Sequence, residues 1–207
     1  MGPVDIELCF PAYVSSFDGD DDDDDDGEPD LLRVPHWVAQ WVKPAGRAVE
    51  SNKRPSNWYT VPALNDQDIA PTDASYQFSQ SFRRSHPNWY DRGHLAQKYL
   101  TERFGEEAGR FSHSVANAVP QRSRFNSHPW LELECRTGAW ANRYRGLWVV
   151  TGPVFLNSKP TAWLTEPGRR GALPVAIPDA LFKVVVRKRS DRLDWLAFLY
   201  PQDSPSP

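Results

Sequence analysis

Two apolar runs late in the chain, Ala180–Lys188 (ALFKVVVRK) and Leu193–Tyr200 (LDWLAFLY), flank the short polar segment RSDR. Both are dense in β-branched and aromatic residues, which suit a pleated, half-buried surface. The serine and aspartate between them suit a tight reversal, so the pair reads as an antiparallel hairpin. A lone hairpin cannot bury its apolar side and needs more strands. Candidates are present. Gly146–Leu156 (GLWVVTGPVFL) reads as a buried strand stopped at Gly152–Pro153, and Arg33–Val42 (RVPHWVAQWV) as a strand entering after Pro35. In the latter, Trp37, Ala39 and Trp41 would share one face and Val38, Gln40 and Val42 the other. VDIELCFPAYVSSF, residues 4–17, reads as one or two further short strands.

Between these runs, Lys43 to Pro87 is rich in Pro, Asn, Asp and Ser and reads as loop with a helical turn after Asp73; Trp58, Tyr59, Tyr76, Phe78 and Phe82 imply that it packs on something. Thr101–Gln121 starts helix-like and ends strand-like. Phe125, Trp130, Leu133 and Trp140 recur near helical spacing, with Pro129 tolerable only in the first turn of such a helix. The expected fold class is α+β, a mixed and mainly antiparallel sheet with flanking helices.

A length of 207 residues suits one domain, expected over 1–203, with a disordered tail at 204–207. No run of about 18 apolar residues is present to span a membrane, and the N-terminus lacks a secretory pattern. Cys9 and Cys135 cannot make a disulfide framework and read as buried or idle thiols. The net charge of -3 hides a strong asymmetry: 18–30 holds ten acidic residues and no basic ones, and the remainder carries 24 basic against 17 acidic residues, a balance of +7. That segment includes seven consecutive aspartates and reads as a disordered insertion. It fails the calcium-loop pattern, since position 12 counted from Asp22 is Arg33 rather than Glu. The mildly basic body suits a polyanionic partner.

Against that background stands YDRGHLAQ, Tyr90–Gln97. Its histidine, His94, can exchange a proton near neutrality. Arg92 offers a permanent planar cation suited to phosphate oxygens. Gly93 allows a bend or a close approach. Downstream, NAVPQRSRFNSHPWLELE spans Asn117–Glu134. If Asn126 opens a helix, Trp130 and Glu134 lie on its face at i+4 and i+8, and a carboxamide and a carboxylate point to one place. Such a pair suits a hard cation that keeps most of its waters, typically Mg2+.

Taken together, the blocks NWYTVPALNDQDIAP, YDRGHLAQ, NAVPQRSRFNSHPWLELE, VVTGPVF, IPDALFKVVV and LAFLYPQ resemble, in order and over Trp37 to Gln202, the DNA/RNA non-specific endonucleases with a ββα-metal (histidine–metal finger) site. The resemblance implies that His94 is the general base, that Asn126 is the protein ligand of Mg2+ (with Mn2+ as a substitute), and that Glu134 hydrogen-bonds the metal waters. It further implies that Asn117 supports the histidine and the scissile region and that Arg92, and Arg54 in a looser match, meet the substrate phosphate. Asp91 reads as a brace and Trp130 as core. The implied activity is metal-dependent, sequence-non-specific hydrolysis of phosphodiester bonds of DNA and RNA to 5'-phosphate and 3'-hydroxyl ends. Expected partners are nucleic acid backbones, a second copy of the chain or an inhibitor protein, and no membrane; relatives of this type are secreted, periplasmic or mitochondrial.

Two other readings compete. One is a catalytically idle or partner-masked nucleic-acid-binding or toxin-type domain of the same fold. The other, a zinc hydrolase, lacks the H-E-x-x-H or cysteine-pair spacing that it needs. His36, His86, His113 and His128 read as surface or packing histidines, and Arg187–Arg192 as a solvated basic turn.

Overall fold

The computed structural model of the chain describes residues 6–19, 31–46, 54–64, 69–85, 89–157 and 159–203. The aspartate run from residue 20 onward, His86 and the tail at 204–207 lie outside them. The strands are β1 (Ile6–Cys9), β2 (Tyr13–Phe17), β3 (Pro35–Val42), β4 (Tyr90–His94), β5 (Ala118–Arg122), β6 (Leu147–Val154), β7 (Trp163–Leu164), β8 (Val175–Ala176), β9 (Ala180–Lys188) and β10 (Leu193–Pro201). The helices are α1 (Gln80–Ser85), α2 (Lys98–Thr101), α3 (Glu106–Phe111), α4 (Ser123–Phe125) and α5 (Leu131–Tyr144). None of the helices among the described residues is long and apolar enough to cross a membrane.

Six strands form one sheet in the order β1-β2-β3-β6-β9-β10, and every neighbouring pair is antiparallel. The expected hairpin is its β9–β10 edge, with Leu193 opposite Lys188. In β3 the alternation holds: Val38, Gln40 and Val42 are buried, while Trp37, Ala39 and Trp41 are half-buried. β6 differs from expectation. It does not stop at Gly152–Pro153 but pairs with β9 through Val154. Its pairing with β3 ends at Thr151, so Pro153 sits where one flank is already free and its missing N–H costs no ladder bond. Gly152 is needed there for space, because a Cβ would fall under 3.0 Å from the His36 carbonyl oxygen and the Phe182 ring.

In the stretch expected to be mostly loop, the described residues do carry a helical turn at Asp73–Tyr76, capped by Thr72, and bury Tyr76 and Phe78, but they also form the helix α1 at Gln80–Ser85. Asp18, first of the acidic segment, is itself buried and accepts the Leu32 backbone N–H at 2.7 Å, which anchors that end of the segment to the fold.

The helical segment after β5 also departs from expectation. It starts at Ser123, three residues before Asn126, and Pro129 lies inside it within a wide π-turn, Asn126–Trp130. In a regular α-helix the proline ring would meet the carbonyl one turn back; the wider turn makes room without ending the helix. The segment is fastened to the sheet by Trp130, which is 0% exposed, 5.5 Å from the Phe125 ring and 4.5 Å from Lys183 Nζ of β9. Truncating such an anchor to alanine costs about 3–5 kcal/mol. Leu95, Val119, Phe125, Trp130, Leu133 and Leu181 share one core, which ties β4, β5 and the helix to the sheet.

Candidate active site

β4 and β5 pair antiparallel, with Asp91 opposite Gln121 and His94 opposite Ala118. The helical segment follows β5 directly, so the three elements form a ββα unit. His94 ends β4, and Asn126 and Glu134 sit on the helical segment. All three line one polar cleft of about 450 Å³, together with Arg54, Arg92, Gln97, Lys98 and Glu102.

Gly93 is required here by its neighbour's volume. A Cβ at this position would fall under 3.0 Å from Gln121 Cγ, Cδ and Oε1, and Gln121 is fully buried. The Gln121 side chain lies across Gly93 and holds the two strands at the separation that aims His94. Behind the histidine, the 0% exposed Asn117 has its amide fully committed: Nδ2 donates to the Ala96 and Ser112 carbonyls, both at 2.8 Å, and Oδ1 accepts from the Ala96 N–H at 2.7 Å. Asn117 therefore fixes the chain that leaves His94, and it does not line the cleft.

His94 is half-buried, with its ring against Trp58 (centroids 4.6 Å apart) and His113 (4.8 Å). Burial pushes its imidazole well below the ordinary 6.5, and the neighbouring His113, Arg54, Lys98 and Arg92 push the same way. It is therefore a neutral base at pH 7.

Asp91 braces the unit. Its carboxylate accepts from Ser123 Oγ at 2.7 Å and from Asn126 Nδ2 at 3.2 Å. A carboxylate only accepts, so the Asn126 amide must turn its NH2 toward Asp91, which leaves Oδ1 as the atom offered to the cleft. Glu134, 5% exposed, is pushed up to about 7 by burial, against the pull of Lys183 and Arg54. The Trp130 indole N–H also favours its charged form from nearby, although Nε1 stops short of hydrogen-bonding geometry.

On the opposite wall, Arg92 Nη1 donates to Asp73 Oδ1 at 2.7 Å, and the guanidinium lies over the Tyr76 ring at 4.7 Å and the Trp58 ring at 5.2 Å. Asp73 and the two rings fix its plane. Arg54 is exposed at the rim. Lys98 and Glu102 form a buried ion pair in the same wall. The cleft thus presents the Arg92 and Arg54 guanidiniums, the Lys98–Glu102 pair, a half-buried neutral base, an amide oxygen and a carboxyl that can exchange a proton near neutrality, a set that suits an anionic phosphoester and a hydrated oxygen-seeking cation.

Of the residues singled out from sequence, His94, Arg92, Arg54, Asn126 and Glu134 come together in the cleft, and Asn117 lies behind it. Asn126 is not at a helix mouth as expected but within the wide turn, with helical dihedrals. His113, read as a surface or packing histidine, is buried in ring contact with His94. Trp58 reads from sequence only as a packing residue, and Lys98, Glu102 and Lys183 escape the sequence reading; only a lysine spaced four residues from a glutamate, Lys98 to Glu102, carries a local signal. His128 is exposed, and His36 faces Asp18 at 3.6 Å. Among the described residues no three His, Cys, Asp or Glu side chains converge as a metal cage; a cation beside Asn126 would take most of its shell from water and phosphate. A second hollow, of about 290 Å³, lies between α5 and the β9–β10 edge. It is mainly apolar, and its charges, Arg187 and Asp194, are spent on each other at 2.7 Å.

A family model described as "DNA/RNA non-specific endonuclease" matches residues 7–205. Curated relatives include endonuclease G, mitochondrial, of Bos taurus, 26% identical over 152 residues, covering 72% of this chain and 47% of the relative. Nuclease EXOG, mitochondrial, of Danio rerio is 26% identical over 172 residues (80% and 46%), and a nuclease of Syncephalastrum racemosum is 26% identical over 198 residues (89% and 54%). The chain spans about half the length of the curated relatives it matches. Among solved structures, one described as "Crystal structure of the EndoG/EndoGI complex: Mechanism of EndoG inhibition" superposes with a TM-score of 0.65 at 23% identity, covering 100% of this chain and 80% of that one. The fold is shared.

Proposed function

Since the chain belongs to the DNA/RNA non-specific endonuclease family, we propose that it hydrolyses phosphodiester bonds in DNA and RNA, with His94 as general base and a Mg2+ ion, replaceable by Mn2+, held by Asn126. The observation that carries this reading is the convergence of His94, Asn126, Glu134, Arg92 and Arg54 on one cleft.

His94, held neutral by its surroundings, takes the proton of a water aligned with the phosphorus. Arg92, locked by Asp73, receives the growing negative charge on the non-bridging oxygens. Arg54 at the rim draws in the backbone of the incoming strand, and Asn117 keeps the chain behind His94 from shifting. Glu134, able to hold or release a proton near neutrality, accepts hydrogen bonds from the waters around the cation. When bound, the Mg2+ supplies Lewis-acid neutralisation at the phosphate and at the leaving oxygen. The donor set fits this ion, with one amide oxygen set by Asp91 and one carboxyl nearby. Products would carry 5'-phosphate and 3'-hydroxyl ends. Contacts to phosphate and sugar rather than base edges make the cleavage indifferent to sequence.

We take residues 1–203 as one catalytic domain. An inhibitor protein is a further part of this reading, in line with the neighbouring structure described as an EndoG/EndoGI complex with a mechanism of EndoG inhibition; a second copy of the chain is the other expected partner. Incubating supercoiled plasmid and a structureless RNA with the protein in Mg2+, with and without EDTA, tests the reading. Nicking of plasmid and cutting of RNA in Mg2+, both abolished by EDTA, are expected. Intact plasmid in Mg2+ alongside a gel shift would instead establish an idle binding domain.

A further inference from the structure

The His94 imidazole belongs to a cluster of three rings that touch one another. Trp58 lies 4.6 Å from it at 48°, His113 lies 4.8 Å from it edge-on at 89°, and Trp58 and His113 are themselves 5.3 Å apart at 70°. His113 is also a backbone junction. Its carbonyl accepts the Tyr59 N–H at 2.8 Å, and the Tyr59 carbonyl accepts the Val115 N–H at 2.9 Å. These two bonds draw the Trp58 segment onto the 112–117 turn, which Asn117 pins to the chain leaving His94 through the Ser112 and Ala96 carbonyls. The His113 ring is 1% exposed, with Nδ1 3.3 Å from Ser112 Oγ, so it has one place to be.

We infer that His113 is a positioning residue, which together with Trp58 clamps the His94 imidazole in the orientation from which it takes a proton; this rests on the reading of His94 as general base. An imidazole at a strand end can rotate about two side-chain bonds. Here an indole lies against the ring at a 48° tilt and a second imidazole stands perpendicular to it, and the segments that carry these neighbours are bonded to each other through the backbone. His113 also reaches His94 electrically. Both imidazoles are depressed by burial and by Arg54 and Lys98, with Arg92 acting on His94, and with a hydrogen bond to the Gly109 backbone and then Glu102 opposing at His113. As pH falls, a charge on His113 adds to the forces that keep His94 neutral.

The test compares His113→Ala and His113→Phe with the wild type and with His94→Ala, each with Mg2+ on a short duplex, with folding followed by thermal melting. His113→Ala, which empties the flank, should lower kcat about 10- to 100-fold with little change in KM, the scale of a misplaced base. His113→Phe keeps a ring and removes the charge. It should recover most of kcat and move the acid limb of the pH–rate profile to higher pH, because His94 loses a repulsive neighbour. Wild-type kcat in a folded His113→Ala protein, or no recovery in His113→Phe, overturns the inference. Should His113→Ala fail to fold, Trp58→Ala takes its place: a fall in kcat with little change in KM supports the clamp, and wild-type kcat refutes it. Full activity in His94→Ala would instead bring down the general-base reading. NMR titration of the His94 ring in the substrate-free chain then still reports whether His113 governs it, with a raised midpoint in His113→Phe as the expected result.

Discussion

Replacing Gly93 by alanine is the sharpest perturbation available at this site, because it adds one carbon between His94 and the Arg92 guanidinium without touching either. The added Cβ would fall under 3.0 Å from Gln121 Cγ, Cδ and Oε1, and Gln121 is 0% exposed, so its side chain has no solvent to swing into. Either the glutamine repacks or β4 and β5 separate. Overpacking of this kind costs about 1–3 kcal/mol, and at this chain length each kcal/mol lowers Tm by about 2–4 °C. Separation of the strands carries His94 with it, and a base misplaced by even about 1 Å can lose on the order of 100-fold in rate. The collision is with atoms beyond Cβ, so Gln121→Ala should relieve it. The assay is a double-mutant cycle of Gly93→Ala and Gln121→Ala, read by thermal melting and by plasmid nicking. Coupling of about 1–2 kcal/mol is expected, with the double variant more stable and more active than Gly93→Ala alone. Additive effects, or a Gly93→Ala protein with wild-type Tm and rate, would refute the reasoning that Gly93 is there to admit Gln121.

Three further outcomes are expected. Asp91→Asn no longer dictates the Asn126 amide orientation set by the Asp91–Asn126 contact at 3.2 Å; the half-saturating Mg2+ concentration should rise about 10- to 100-fold, with most of kcat recovered at high Mg2+, and an unchanged metal titration would contradict this. Arg92→Lys keeps the charge but loses the fork that bonds Asp73 and lies over Tyr76, so kcat/KM should fall about 10-fold or more rather than stay near wild type. The pH response follows from His94, whose folded pKa lies below its unfolded 6.5. The acid limb of kcat should therefore sit below pH 6.5. As pH falls below 6.5 the unfolded chain takes up the proton first, so stability drops, and His94→Gln should flatten the fall of Tm between pH 7 and pH 5; an equal slope in both proteins would show that His94 is not responsible.

Much of this molecule could be read locally. Period-two alternation in β3 and the apolar runs of β9 and β10 identify strands because each strand's faces meet different surroundings, and that difference is written into every second residue. The fold class is legible from the strand and helix patterns, and the cleft residues His94, Arg92, Asn126 and Glu134 from six ordered blocks, not from spacing alone. Misread features depended on partners distant in sequence. Pro129 reads as a helix start until a wide turn, stabilised by Trp130 packing on β9, makes room for it. Gly152–Pro153 reads as a stop, because nothing local reveals that β6 goes on pairing with β9 after its pairing with β3 ends at Thr151. Gly93 suggests backbone freedom, whereas its need is the volume of Gln121 across the strand pair. His113 reaches His94 only after the Trp58 segment, the 112–117 turn and β4 have been assembled.

The central claim is that His94 and Asn126 face one shared cation, and Mn2+ titration followed by NMR tests it most directly. With the histidine rings isotopically labelled, substoichiometric Mn2+ should broaden the His94 resonances before those of exposed His128, and Asn126→Ala should abolish that selectivity. Uniform broadening of both histidines, or selective broadening of His94 that survives Asn126→Ala, would contradict the account.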